Sequence, residues 1–383
     1  MHVLLLPSWY STVERSYLGS FFREQAIALK KAGNQVNIIF LDIFKEDQSA
    51  PPFATIVKMD HGFKVYSIRV PHLYSKIPIL FPQLLASLGK HLLDYYCEQE
   101  GTPDLIHAHS ALYGGFIAAN ICASHQIPMV LTEHLTRIVK GKVQPWKIFI
   151  LKLAYQKAEK IFAVSPALAE GMKPFVGEKT ITVIHNLVDE TIFYPSEQAK
   201  NLTPFIFSSI GRLEEVKGFD LLIKAFHKSF HGADVQLNIA GSGTKYEALS
   251  SLIEELKLKN QVKLLGSLSR LEVRELLQSS HVLVSSSSLE SFGVTLIEAM
   301  ACGLPVVSTM SGGPECFIEK DMGILVPSGD VDQLADALLR MKNTYSKYDP
   351  LLIRSKCVER FGQKVFIKKL LDAYKAIINN STS

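Results

Sequence analysis

Residues 282–307 run Val282-Leu283-Val284-Ser285-Ser286-Ser287-Ser288-Leu289-Glu290-Ser291-Phe292-Gly293-Val294-Thr295-Leu296-Ile297-Glu298-Ala299-Met300-Ala301-Cys302-Gly303-Leu304-Pro305-Val306-Val307. A short apolar run, a serine-rich turn, a helical stretch opening near Gly293 and ending at Gly303, and a second apolar run spell strand, helix, strand. In an open parallel sheet, ligands bind beyond the carboxyl ends of the strands, and the free N–H groups at a helix start favour a phosphate. Gly293 lets the backbone approach such a group closely. The two carboxylates lie eight residues apart, Glu290 before the helix and Glu298 inside its second turn. They are placed to address different ends of one ligand, because an ionised carboxylate accepts two hydroxyl hydrogen bonds at once. The same spacing also suits a bare helix start, with one acid favouring the dipole and one solvated; spacing alone leaves both open.

The alternation extends outward in both directions. Apolar runs at 2–6, 36–41, 105–108, 129–132 and 161–164 read as buried strands, with helices at 20–32 (closed by Gly33), 113–125 and 147–159, so that one sheet is complete by about residue 185. The polar stretch Pro195-Ser196-Glu197-Gln198-Ala199-Lys200-Asn201 has linker composition. A second set of strands follows at 205–209, 235–240, 262–265, 282–285, 305–308 and 324–326. The fold class is therefore α/β with two doubly wound domains. Residues 1–190 are expected to form the first and 204–360 the second, with a helical tail, 361–383, packing back on the first.

Composition sets limits on function. With 383 residues and 47% hydrophobic content the chain fills two cores. Its 41 Lys and Arg nearly balance 37 Asp and Glu, for a net charge of +4, so the field of a nucleic-acid binder is absent. Five scattered cysteines give neither a disulfide framework nor metal-ligand spacing, which points to a reducing compartment. The apolar start is too short for a signal h-region and no run reaches about 18 apolar residues. A cytoplasmic location is expected.

The 289–307 stretch resembles the E-x7-E signature of the retaining glycosyltransferase family 4, whose members adopt the GT-B fold, two Rossmann-like domains facing across a cleft. Ser291-Phe292-Gly293 and Glu298 to Val307 follow the family pattern nearly residue for residue. A second match is Ile210-Gly211-Arg212-Leu213-Glu214-Glu215-Val216-Lys217-Gly218-Phe219-Asp220-Leu221-Leu222, just after the first strand of the second domain. The resemblance implies a hexosyl- or N-acetylhexosaminyl-transferase moving sugar from a UDP- or GDP-linked donor to an acceptor hydroxyl, with retention and with no metal or further cofactor.

It also implies roles for individual residues. Arg212 and Lys217 hold the donor pyrophosphate, Glu290 and His134 lie at the sugar and the reaction centre, and Glu298 takes the ribose. Ser291, Phe292, Gly293, Val294 and Thr295 line the donor phosphates and sugar. Gly241 faces the nucleotide, Gly266 lies where the base is met by backbone groups, and Gly19-Ser20 closes on the phosphate from the first domain. His109 is a second active-site candidate, and the loop Ser8 to Arg15 is where acceptor contacts are expected. Asn186-Leu187-Val188-Asp189 resembles the family's inter-domain Pro-Asn-Gly-Val-Asp, with His185 and Leu187 replacing the proline and glycine. Asp330-Val331-Asp332 reads as a helix start capped by Asp330, with Leu334, Ala335 and Leu338 on the buried face, and not as a metal pair.

Seven cations between Arg137 and Lys160 are interleaved with Trp146, Phe149, Ile150, Leu151 and Tyr155. Such a basic, aromatic-edged segment fits an anionic leaflet, and equally a solvated face over a core stripe. With the resemblance it suggests a lipid-linked or other saccharide acceptor, in surface polysaccharide, lipopolysaccharide or glycolipid assembly at the inner face of the membrane. The rival from another class is a non-catalytic nucleotide-sugar-binding partner subunit. A dinucleotide oxidoreductase shares the α/β pattern but would need a glycine fingerprint that Gly241-Ser242-Gly243 does not complete.

Overall fold

A strand flanked by helices on both faces must be apolar on both, and β1 (His2–Pro7) is: Val3 to Leu6 are almost fully buried. In a computed structural model, which describes residues 1–11, 19–44, 51–77, 80–140, 143–197 and 201–381, the chain divides into two compact units. The first comprises Met1–His185 and Phe366–Ser383, the second Asn186–Val365.

In the first unit β1 is followed by α1 (Ser20–Lys31), β2 (Gln35–Phe44), β3 (Thr55–Asp60), β4 (Phe63–Pro71), α2 (Leu80–Glu100), β5 (Leu105–His109), α3 (Phe116–His125), β6 (Met129–Glu133), α4 (Pro145–Lys157), β7 (Lys160–Ala163), α5 (Pro166–Val176) and β8 (Ile181–Val183). The sheet order is β3-β4-β2-β1-β5-β6-β7-β8, parallel throughout except for the β3–β4 hairpin. That hairpin lies between the strands read at 36–41 and 105–108, where the sequence suggests none; it turns through His61 and Gly62, both at positive φ, as a two-residue hairpin turn of matching twist demands. Strand order reverses between β1 and β5, which opens a crevice at their carboxyl ends.

The second unit runs β9 (Phe205–Ile210), α6 (Phe219–Phe230), β10 (Val235–Ala240), α7 (Tyr246–Glu255), β11 (Val262–Gly266), α8 (Arg270–Ser279), β12 (Val282–Ser285), α9 (Val294–Ala301), β13 (Val306–Met310), β14 (Gly323–Pro327), α10 (Val331–Thr344) and α11 (Pro350–Phe361). Its all-parallel order, β11-β10-β9-β12-β13-β14, is that of a doubly wound nucleotide-binding sheet with its reversal between β9 and β12. Asp330 caps α10 by accepting from the Asp332 and Gln333 N–H groups, and Leu334, Ala335 and Leu338 are buried beneath it, as the sequence suggested. Residues 198–200 of the expected linker lie outside the described residues.

The last helix, α12 (Gln363–Ser381), carries the chain back to the first unit. Its Tyr374 hydroxyl lies 2.5 Å from Nδ1 of His107 in the middle of β5, with the Gln25 amide nitrogen 3.0 Å from the same atom. His107 Nε2 is 2.7 Å from the Thr132 hydroxyl on β6. Burial pushes His107 down to about 3, helped by the nearby His134, and burial alone pushes His134 down to about 3. Both are neutral in the folded protein where the unfolded chain, at about 6.5, begins to take up protons. Stability is therefore complete above about pH 6.5 and is lost as pH falls toward 3, by as much as about 1.4 kcal/mol per pH unit for each ring. Urea unfolding followed by tryptophan fluorescence from pH 7.5 to 5 should show the midpoint falling below pH 6.5. A midpoint that stays flat across that range would contradict the buried, neutral state of these two histidines.

Candidate functional site

In the second unit, the loops leaving β9 and β12 stand side by side because the strand order reverses there. Glycine lets them close on one another. Gly241, at φ 144°, donates its N–H to the Gly266 carbonyl, and a Cβ at this position would lie 1.8 Å from the Gly211 carbonyl oxygen. Leu213 N–H bonds the Ser242 carbonyl at 2.9 Å, tying the loop after β9 to the loop after β10. Gly218 begins α6 at φ 62°, and a Cβ there would meet the Ser286 carbonyl oxygen at 2.4 Å. The Ser286 hydroxyl in turn donates to the Lys217 carbonyl at 3.0 Å, and Ser288 N–H to the Val216 carbonyl at 2.8 Å.

Across this junction the Lys217 ammonium meets the Glu290 carboxylate at 2.5 Å, with side chains only 24% and 16% exposed. The Glu290 backbone is pinned on both sides, its N–H to the Ser311 carbonyl and its carbonyl to the Gly313 N–H, each at 2.9 Å. Gly293, at φ 106°, turns the chain into α9. Glu298 is buried one turn further on, where Arg270 Nη1 reaches its Oε1 at 2.5 Å while the guanidinium lies over the Phe193 ring. Arg270 opens α8 behind a Ser269–Glu272 capping box.

Thus the structure brings Lys217 and Glu290 into contact and sets Glu298 on the helix that follows. Arg212 is exposed on the loop after β9, with Gly241 and Gly266 at the neighbouring strand ends. Ser291, Gly293, Val294 and Thr295 form the turn into α9. Phe292 is different: its ring is buried against Phe317 and Phe361, so it anchors the turn and has only backbone to offer a ligand. A surface depression of about 600 Å³ beside β14 shares no residue with this group, and the Glu319 and Asp321 carboxylates on its rim are paired with Lys356.

In the first unit the reversal between β1 and β5 organises a second cluster. Glu133, at the end of β6, is fully buried and accepts four hydrogen bonds, from the N–H groups of Ala111, His134 and Leu135 and from the Tyr155 hydroxyl, at 2.7–2.9 Å. That saturated carboxylate fixes the backbone of His134. The His134 Nε2 lies 3.1 Å from Nδ1 of His109, whose own environment holds it well below the ordinary histidine range, chiefly by burial. Gly19, at φ 70°, caps α1, and Ser20 is its first residue. Ser8, Trp9 and Tyr10 line a cavity of about 360 Å³ with Phe40, Asp42 and Tyr113 at the strand ends. The rest of the proposed acceptor loop, residues 12–15, lies outside the described residues.

Two side chains that carry this geometry were not singled out from sequence. Glu133 stood in plain view between Thr132 and His134, a carboxylate directly after a buried run, which is a position for a saturated acceptor. Arg270 gave no local signal, since it lies 28 residues before its partner on another helix.

Residues 191–351 match the family model described as Glycosyl transferases group 1, and residues 18–191 match that of Glycosyltransferase Family 4. The N-acetyl-alpha-D-glucosaminyl L-malate synthase of Bacillus anthracis is 28% identical over 252 residues, 62% of this chain and 65% of that protein. The phosphatidylinositol N-acetylglucosaminyltransferase GPI3 subunit of Saccharomyces cerevisiae is 26% identical over 282 residues, 70% of this chain and 60% of that one. The match therefore spans under two thirds of either relative's length. Among solved structures, sucrose-phosphate synthase from Thermosynechococcus elongatus superimposes with a TM-score of 0.81 at 20% identity, covering 99% of this chain and 100% of that one. Anabaena HepE in complex with UDP gives 0.76 at 20% identity, covering 98% and 100%. With the two family models meeting at residue 191 and those structures sharing its fold, the chain belongs to the GT-B glycosyltransferases of the family 4 type.

Proposed function

We propose that this glycosyltransferase takes a hexosyl or N-acetylhexosaminyl group from a UDP- or GDP-linked donor, without a metal and with retention, and passes it to a hydroxyl of a lipid-linked saccharide in surface glycan assembly. The observation that carries the donor half is the Lys217–Glu290 pair at the strand-order reversal, with Glu298 one helix turn on. The UDP bound by the Anabaena protein and the N-acetylglucosaminyl group in both relatives' names support it. Arg212, Lys217 and the first N–H groups of α9 neutralise the departing diphosphate, a charge that such preorganised groups stabilise well. In the second unit Glu290 orients the sugar; in the first unit His134 meets a saccharide hydroxyl. Glu298, with Oε1 taken by Arg270, offers its other oxygen to the ribose. No covalent nucleophile is assigned; a donor phosphate oxygen takes the acceptor proton as the acceptor oxygen attacks from the same face.

A second reading is that the chain is a nucleotide-sugar-binding subunit of a larger transferase, favoured by the word subunit in the yeast relative's name. Release of nucleoside diphosphate from a donor by the purified chain separates the two, because a binder releases none.

Replacing Lys217 or Arg212 by alanine should lower turnover on the order of a hundredfold while leaving the fold intact, since each removes a charge aimed at the leaving group. Steady-state kinetics alongside circular dichroism checks this; wild-type rates in both variants would remove the phosphate assignment. Calorimetry should divide the carboxylates. Glu298→Gln is expected to weaken free nucleoside diphosphate binding, whereas Glu290→Gln, which releases Lys217 from its partner, should leave it equal or tighter and damage transfer. Equal weakening by both would refute that division.

The membrane half rests on α4. No helix among the described residues is long and apolar enough to cross a bilayer. Phe149 is 70% exposed on the same face as Lys152, while Ile150, Leu151 and Tyr155 are buried beneath the helix. Lys142, and the side chains of Lys140 and Trp146, lie outside what the structure describes. Each lysine near an anionic surface contributes about 1 kcal/mol, so attachment should be reversible and released by salt. Co-sedimentation with phosphatidylserine vesicles at low ionic strength is expected, and should be lost in a Lys147→Glu, Lys152→Glu, Phe149→Ser variant. Binding unchanged by those substitutions, or absent from the start, would sink the membrane reading and leave the transferase reading standing.

A further inference from the structure

We infer that His109 is a positioning residue that holds His134 in one neutral tautomer, with its proton on Nδ1, so that His134 meets a saccharide hydroxyl as a hydrogen-bond donor and carries no proton in the reaction. The transferase reading above is needed only to identify the hydroxyl; the tautomer follows from the first unit alone.

His109 Nδ1 and His134 Nε2 are 3.1 Å apart, so one of the two nitrogens carries the shared proton. If His134 donated from Nε2, neutral His109 would have to hold its own proton on Nε2. That nitrogen is fully buried and finds no hydrogen-bond partner among the described residues. Its ring is flanked by Phe22, with centroids 4.8 Å apart, and by His107 at 4.1 Å. His107 offers no lone pair in exchange, because its Nδ1 faces the Tyr374 hydroxyl and the Gln25 amide and its Nε2 the Thr132 hydroxyl. An orphaned buried N–H is the costlier defect; a bare acceptor nitrogen beside aromatic rings is the cheaper one. His109 therefore keeps its proton on Nδ1 and donates to His134 Nε2. The His134 proton must then sit on Nδ1, leaving that edge of the ring as the donor.

The surroundings hold the arrangement. Phe21 and Phe22 pack on His134 with centroid distances of 4.9 and 5.2 Å, and Glu133, spent on four hydrogen bonds, orders the backbone without a free lone pair directed at the ring. Protonating His134 would place a second donor against the His109 Nδ1–H, so both the apolar packing and the neighbour oppose it.

Nitrogen-15 NMR of the full chain labelled at histidine reads this directly, without any ligand, between pH 6 and 8. Resonances are assigned from their loss in His134→Gln and His109→Asn. The expected result is an Nδ1-protonated, Nε2-bare pattern for both rings, unchanged over that range. An Nε2-protonated His134, an average of the two tautomers, or titration of His134 above pH 6 would overturn the inference. The kinetic arm uses the fact that an asparagine amide nitrogen falls near the position of histidine Nδ1. His109→Asn should keep most of kcat, whereas His109→Phe should lose about tenfold in kcat at unchanged donor KM, the worth of one hydrogen bond. Equal loss in both variants, or a change in KM alone, counts against positioning. If the wild-type chain turns over no nucleotide sugar, the transferase reading fails while the NMR still decides the tautomer.

Discussion

The constraint on which the second unit depends is the reversal of strand order between β9 and β12. A parallel sheet wound in two directions must leave two adjacent loops heading away from each other, and the space between them is lined by backbone with nothing to cover it. Here the gap is bridged by one ion pair, Lys217 with Glu290, and the loops are held at bonding distance by glycines whose neighbours leave no room for a Cβ. Gly241 and Gly218 are not merely permissive. A side chain at Gly218 would collide with the Ser286 carbonyl on the loop after β12, beside Lys217, and one at Gly241 with the Gly211 carbonyl at the end of β9.

The first unit meets the same topological problem with a different device. At its β1–β5 reversal the positioning element is a buried carboxylate, Glu133, which gathers three backbone N–H groups and a tyrosine hydroxyl. A charge buried this deeply is tolerable only when its lone pairs are occupied, and each bond it accepts fixes a segment: the start of the turn after β5, the end of β6, and α4. The histidines then stack on a backbone that cannot drift.

How much of this could be read from the sequence depends on whether a feature is local. The apolar runs of the buried strands, the glycines after α1 and α9, and the Glu290 to Glu298 spacing are all contiguous, so most of both sheets and the acidic pair were legible. The β3–β4 hairpin was not, because Phe63 to Val70 lies at the sheet's edge region with an irregular burial pattern and β3 is largely exposed. The helix α2 was not legible either, although Phe81, Leu85, Leu92 and Tyr96 bury one face. Partnerships formed only in three dimensions were invisible for a plainer reason: Arg270 and Glu298, Lys217 and Glu290, and Tyr374 and His107 lie 28, 73 and 267 residues apart.

The pairing of each acid with its own cation bears on how a transfer of the proposed kind would gain rate. In the free protein Lys217 and Glu290 neutralise one another, so the lysine is already in place but partly spent, and a diphosphate must compete with the glutamate for it. That competition weakens ground-state binding. When the bond to the sugar breaks, negative charge grows on the diphosphate and positive charge on the sugar, in the sense that the lysine–glutamate dipole is built to match. In the proposed transfer Lys217 would gain by moving its interaction to the phosphate, and Glu290, released, would face a developing cation in place of a neutral hydroxyl. Both interactions would then be stronger in the transition state than before it, which is the only kind of binding that accelerates chemistry. Arg270 has no such exchange to make: it lies over Phe193 and is paired with Glu298, whose proposed task of holding a ribose would not change as the bond breaks.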